Sequence, residues 1–232
     1  MRIIPMLGAA ALICLCSASA SLRAEQASIG KVKIELVAPE GYCALEASRT
    51  ADQQVLSVVQ TALGATNRLI GMSADCNQLE EIRQGKSKPL AHYAQYQTLT
   101  TLMDGALPTA PASFIKQLCT MMRAEGEKMM GQLEAGIKSR MEFAAKNAKV
   151  NSVNLVGVVD EEEEVCYFAA LISAVMANGV KNDQLSLGAV TVVDGKLVYY
   201  YLFQPYAKSD DVTAALKKQK VNVAAFRAKN KK

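Results

Sequence analysis

The chain has 232 residues, half of them apolar and about a fifth charged, with a formal net charge of +4 and one histidine. That is the composition of a packed globule, and so small a charge, with basic residues that do not gather on one element, does not imply a nucleic-acid partner. Tryptophan is absent and aromatics make up 6%, which argues against a carbohydrate- or base-stacking platform.

The opening run MRIIPMLGAAALICLCSASASLRAEQ has Arg2 as a minimal positive region, an apolar stretch from Ile3 to Cys16, and Ala18-Ser19-Ala20 as a small-residue cleavage site. Its apolar core is shorter than the ~20 residues a spanning helix needs. Residues 1–20 are therefore expected to be a signal peptide. Residues 21–232 are expected to form a single α+β domain that is periplasmic or secreted, with no integral membrane segment after cleavage. Ile13 and Leu15 before Cys14 and Cys16 disfavour lipoprotein processing. Outside the leader stand Cys43, Cys76, Cys119 and Cys166. An even count in an exported protein reads as disulfides, and four cysteines allow three pairings. Cys43 with Cys76 and Cys119 with Cys166 is the favoured set, because each pair joins elements that are neighbours in chain order. Neither pair has the C-x-x-C spacing of a redox thiol.

Val32, Ile34 and Leu36 alternate with Lys33 and Glu35, the pattern of a half-buried strand. Pro39 and Gly41 interrupt before Cys43. Thr50-Ala51-Asp52-Gln53 has the form of a capping box, and Ala51, Val55, Val58, Val59 and Ala62 continue at helical spacing to Gly64. Asn67 to Ala74 reads as a strand, Asp75-Cys76-Asn77 as a turn, and Leu79 to Ile82 as a short helix ending at Gly85. Lys86 to Ser113 carries Pro89, Pro108 and Pro111. It is expected to be a loop, lid or irregular edge, with Tyr93 to Leu102 its one extendable run.

From Ser113 to Asn147, Phe114, Leu118, Met122, Met129, Leu133, Ile137 and Met141 form a helical stripe that Gly126 interrupts. Gly126, Gly131 and Gly136 predict a bend or split. Val153 to Val159, a charged turn at Asp160 to Glu164, and Val165 to Leu171 predict two paired strands. Leu185 to Tyr206 then places Asp194-Gly195 between β-rich runs. Asp-Gly is a strong type I′ hairpin signal, because both central residues need positive φ. Pro205 should end the second strand. Four consecutive strands make a β-meander. Ser209 to Asn230 closes the chain as an amphipathic helix with Val212, Leu216, Gln219, Val223 and Phe226 on one stripe. The expected architecture is an antiparallel meander sheet covered by amphipathic helices.

Ala38-Pro39-Glu40-Gly41-Tyr42-Cys43 resembles the APxGYC opening of small secreted bacterial proteins, and Gly188 to Tyr206 with its closing helix is similar to theirs as well. The element order resembles the Mog1/PsbP-like α/β/α sandwich. The resemblance implies a fold used for binding or assembly rather than for one chemistry, and no functional residue is carried over from it.

His92 is where any Ser-His-Asp or Cys-His hydrolase would have to be centred, since it is the sole histidine. No nucleophile elbow surrounds it, and an ordinary surface or edge histidine is the simpler reading. A histidine-based zinc site would need further ligands, and disulfide formation would remove the thiols. Asp160, Glu161, Glu162, Glu163 and Glu164 could attract a cation or a basic peptide. Successive carboxylates point in different directions, however, and lack the spacing of a calcium loop. A solvated hairpin tip explains them. Met121, Met122, Met129, Met130 and Met141 have the softness for Cu(I), yet methionine at helical spacing is ordinary core filling. A Met-rich docking face is the alternative use. No cofactor is expected. The leading expectation is an exported non-catalytic binding or assembly protein of the bacterial cell envelope. Behind it stand a periplasmic small-ligand or metal-binding protein using a crevice under Lys86 to Ser113, and a hydrolase using His92.

Overall fold

The computed structural model describes residues 25–86, 89–107, 110–144, 148–176 and 179–231. The expected signal peptide lies outside the described residues, as do the side chains of Met129, Met130 and Leu133. In chain order the elements are β1 (Glu25–Ile29), β2 (Val32–Leu36), β3 (Tyr42–Ala44), α1 (Thr50–Leu63), β4 (Asn67–Asp75), α2 (Cys76–Arg83) and β5 (Tyr93–Leu99). After a 3-10 turn at Thr100–Leu102 come α3 (Pro111–Ala144), β6 (Ala148–Glu162), β7 (Val165–Met176), β8 (Lys181–Val193), β9 (Lys196–Pro205) and α4 (Asp210–Lys229).

One seven-stranded sheet, ordered β3-β4-β5-β9-β8-β7-β6, carries the fold, and β1 pairs with β2 beside it. Every pairing is antiparallel. The meander β6 to β9 forms as the sequence predicts. Its last turn is the Asp194-Gly195 pair, with φ of 49° and 74°, the left-handed backbone a type I′ turn demands. β9 stops at Pro205.

Alternation along β9 divides the core into two. Val198, Tyr200 and Leu202 pack with Phe226 and Val223 of α4 and with Ile29, Ile34 and Leu36 of the β1–β2 hairpin. Leu197 lies on the opposite face with Ile115 and Cys119 of α3. Over the β4 end of that same face sit Leu79 of α2 and Val55 and Val59 of α1, around Met72 and Ala74. The result is an antiparallel sheet with helices on both faces.

Both disulfides join the favoured partners. Cys43–Cys76 ties β3 to the first residue of α2 with Cα atoms 4.9 Å apart. Cys119–Cys166 ties α3 to β7 with Cα atoms 5.7 Å apart.

Five expectations need correction. Lys86 to Ser113 is not chiefly a lid or an edge, because β5 lies between β4 and β9 inside the sheet. Its polar sequence hid it: the amides of Gln95 and Gln97 are buried, and they bond to each other at 2.8 Å and to Asn67 at 3.2 Å. The capping box does not form, since Arg49 is the N-cap of α1 and its side chain makes no cap bond. Asp75 is more than a turn residue: its Oδ1 accepts from the N–H groups of Asn77 and Gln78 and caps α2. α3 continues through its glycines. At Gly126 the reason is a close approach, because a Cβ there would stand 2.8 Å from Leu155 Cδ2. Finally, the acidic run is no separate turn, for β6 continues to Glu162 and the tip is Glu163-Glu164.

Candidate functional site

The centre of the sheet, on the α1 and α3 side, is unlike an ordinary core. Strand register brings Tyr93, Gln95 and Gln97 of β5 opposite Phe203, Tyr201 and Tyr199 of β9. Beyond them β8 contributes Gln184, Ser186 and Gly188, and β7 contributes Phe168 beside Gly188. The floor is therefore aromatic and neutral-polar, with no charged side chain among these ten. Tyr93 stacks on Phe203 at 4.4 Å between centroids. Phe168 meets Tyr201 edge-on at 5.7 Å. Gly188 permits that arrangement, since a Cβ would lie 2.4 Å from the Phe168 ring.

The helices cover this face from two sides: Tyr199 and Tyr201 pack in the cluster of Ile115 and Cys119 of α3, and Tyr93 in that of Leu79 of α2 with Val55 and Val59 of α1. α1 lies on the sheet side of the molecule, yet Asp52 is its one buried residue, and Val55, Leu56, Val59, Ala62 and Leu63 are all half-buried. Tyr93, Tyr199 and Tyr201 are half-buried on the two central strands. α1 and α3 meet where Arg140 Nε donates to the Ala62 carbonyl at 3.2 Å.

The floor carries side-chain hydrogen bonds of its own. Tyr93 donates to Gln184 Oε1 at 3.1 Å, and Gln97 Nε2 donates to Gln95 Oε1. The amide nitrogens of Gln95 and Gln184 and the hydroxyls of Tyr199 and Tyr201 donate to no described residue. These groups differ from Tyr42 Oη, Gln219 Oε1 and Asn222 Nδ2, which are sealed and partnerless among the described residues. Burial raises the pKa of Tyr93, Tyr199 and Tyr201, and the neighbouring Tyr199 adds to the rise at Tyr201. All three stay neutral and able to donate at physiological pH.

The acidic run is spent on holding helices. Strand alternation sends Asp160 and Glu162 toward α4, where Lys220 Nζ reaches them at 2.5 and 3.1 Å. Glu161 points to the other face and pairs with Arg123 of α3 at 2.5 Å. Glu164 pairs with Arg227 of α4, and Glu163 is exposed. The hydrogen bond from Lys220 holds the Asp160 carboxyl below its ordinary value. An open crevice of about 560 Å³ lies beside this tip, between Ala112, Ser113, Lys116 and Glu161 to Glu163.

His92 is part of a different neighbourhood. Its carbonyl accepts from Asp75 N–H at 3.0 Å, and its own N–H lies 3.3 Å from Gln78 Oε1. Burial lowers its pKa first, the charge of Lys218 lowers it further, and Asp75 opposes them. Lys218 also sits 4.8 Å over the Tyr42 ring. Asp75, committed to the α2 cap, is the carboxylate His92 feels. Among the described residues no group of three or more His, Cys, Asp or Glu is arranged to hold a metal ion. None of the described helices is long and apolar enough to cross a membrane. On α3, Met122 packs under the sheet and Met121 is 42% exposed.

The structure puts His92 beside Asp75 and Gln78, away from the acidic run on the β6–β7 tip, and assembles an aromatic, neutral-polar sheet face from residues that carry no recognised motif. The available signal was the alternation of Tyr and Gln through Tyr93 to Gln97, facing the Tyr199-Tyr200-Tyr201 run.

No protein-family model matches the chain, and no curated protein matches it. Among solved structures it is similar to cyanobacterial PsbP (CyanoP) from Synechocystis sp. PCC 6803. The identity is 12% over 87% of this chain and 92% of that one, at a TM-score of 0.36.

Proposed function

We propose that the protein is an exported, non-catalytic binding or assembly component of the bacterial cell envelope, periplasmic or secreted. Two disulfides support an oxidising compartment, where such bonds form and persist. The observation that carries the binding role is the division of labour among polar groups. Asp52 is consumed by Arg83, Asp75 by the α2 cap, Lys196 by the Met103 and Gly105 carbonyls, and the acidic run by Arg123, Lys220 and Arg227. What the fold leaves open is a neutral, directional, aromatic surface, suited to holding a molecule rather than transforming it.

Native mass spectrometry of the tagged chain purified from the envelope fraction tests this, with a stoichiometric bound protein or small molecule as the expected result. Turnover of a hydrolase substrate panel that disappears in His92→Ala would overturn it. The open crevice lined by Ala112, Ser113, Lys116 and Glu161 to Glu163 favours one second reading, a periplasmic small-ligand binding protein.

A further inference from the structure

We infer that Cys43–Cys76 is a redox-operated latch: oxidised, it holds the short edge strand β3 and Tyr42 beneath α4, and a dithiol reductant releases residues 40–44 without unfolding the rest. This goes beyond the binding role and does not depend on what the protein binds.

The two disulfides differ in access. Cys119 and Cys166 are 0% exposed, in a cluster with Ile115, Phe168 and Leu197. Cys43 and Cys76 are half-buried at the margin of the sheet, one on its edge strand and the other opening α2. Thiol–disulfide exchange needs a thiolate to reach a sulfur, so accessible bonds are the labile and regulatory ones.

The strand that this bond holds has little else to hold it. β3 is three residues long, with Tyr42, Cys43 and Ala44 opposite Asp75, Ala74 and Ser73. None of residues 40–44 is buried. Firm anchors stand on either side. The Val37 carbonyl accepts from the hydroxyls of Tyr96 and Tyr200, and Leu45, 3% exposed, donates its N–H to the Met72 carbonyl at 2.9 Å. α2 has its own, the buried Leu79 and the Arg83–Asp52 pair. Cutting the bond therefore frees a segment rather than the fold.

Tyr42 biases that segment outward. Its ring lies under Lys218 Nζ of α4 at 4.8 Å, and its hydroxyl is sealed from solvent with no partner among the described residues. An unmet buried hydroxyl is costly, and release hydrates it. The closed arrangement is thus one the cross-link imposes, a two-state element that thiol chemistry tips.

The exchange balances. One thiolate of the dithiol attacks a sulfur of the pair, forming a mixed disulfide as the Cys43–Cys76 bond breaks, and the departing sulfur takes up a proton. The reductant's second thiol, giving up its proton, then displaces the other sulfur, which is protonated in turn. Two electrons pass to the protein, and the dithiol leaves as a disulfide.

Dithiothreitol is the probe, applied to the full oxidised chain. Graded additions quenched with iodoacetamide and mapped by mass should alkylate Cys43 and Cys76 about tenfold or more faster than Cys119 and Cys166. Hydrogen exchange of the half-reduced protein should then lose protection at residues 40–44 and retain it in β7 to β9. In the Cys43→Ser, Cys76→Ser double variant, adding Tyr42→Phe should slow exchange at residues 42–44 about tenfold, by removing the unmet hydroxyl. Equal reduction of both bonds, a 40–44 segment that stays protected once its bond is cut, loss of protection across β7 to β9, or no effect of Tyr42→Phe each overturns the inference. So does a double variant that fails to fold.

Discussion

Asp52 decides how the molecule meets acid. It is fully buried on α1 and takes three hydrogen bonds, from Arg83 Nε at 3.0 Å, Arg83 Nη2 at 2.6 Å and the Glu46 N–H at 2.8 Å. Burial alone would raise its pKa; the Arg83 hydrogen bond and the Glu46 N–H outweigh that and hold it below the ordinary 3.8. A carboxyl depressed by folding contributes stability that is present above its unfolded value and is lost as pH falls through the folded one. Below about pH 4 the α1–α2 clamp should therefore weaken progressively, which urea titrations at stepped pH would register. Arg83→Met leaves a buried charge without its partner and should cost about 3 kcal/mol at pH 7 by urea unfolding, with the double change to Met and Leu costing less. Gly188→Ala forces the Phe168 ring aside and should cost about 1–3 kcal/mol, largely recovered by adding Phe168→Leu. Both sites were only partly legible. Asp52 lies inside the Thr50-to-Gln53 run that reads as a capping box, and nothing in that spacing marks it as the partner of an arginine 31 residues away. Gly188 looked like any strand glycine, because nothing local announces the ring above it.

At the level of elements, legibility followed locality. The β8–β9 hairpin and α4 were readable, since turn chemistry and helical period are written in neighbouring residues. β5 was readable only as the extendable run Tyr93 to Leu102 and not as a central strand, because its partners are β4 and a strand whose Phe203 faces Tyr93 across more than a hundred residues. The aromatic and neutral-polar face inherits that opacity: three of its ten residues belong to β5, and they look like loop until the sheet closes around them. Cross-links reveal how the helices are fastened. Cys119–Cys166 closes a span of 47 residues, so replacing both with serine should cost about 4 kcal/mol by thermal or urea unfolding, if the chain-entropy account holds. The charge clamp at the β6–β7 tip is a weaker device. Its members are partly exposed, with side chains of Lys220 and Asp160 at 35% and 37%, and such pairs contribute about 0–1 kcal/mol each. Lys220→Met should accordingly speed hydrogen exchange at the tip while leaving the global unfolding midpoint nearly unchanged. β6 itself is an edge strand, and its three register shifts disrupt the flat ladder that would otherwise invite pairing with another chain.

Across the whole molecule, early and late segments are interleaved. Tyr96 of β5 and Tyr200 of β9 both donate their hydroxyls to the Val37 carbonyl, at 2.8 and 3.1 Å, so the stretch leading into the APEGYC segment is pinned by the sheet's middle. Asn230 grips β2 in both directions: its Oδ1 accepts from the Glu35 N–H at 2.9 Å, and its Nδ2 donates to the Glu35 carbonyl at 2.8 Å. That handshake spans 195 positions. During translation, at roughly 5–20 residues per second, Glu35 would leave the ribosome about 10–40 s before its counterpart exists. For all that time the apolar underside of the β1–β2 hairpin, with Ile29, Ile34 and Leu36, lacks the Val223 and Phe226 side chains of α4 that complete its core, which makes it a natural client for a holding chaperone and delays native closure until α4 has been made.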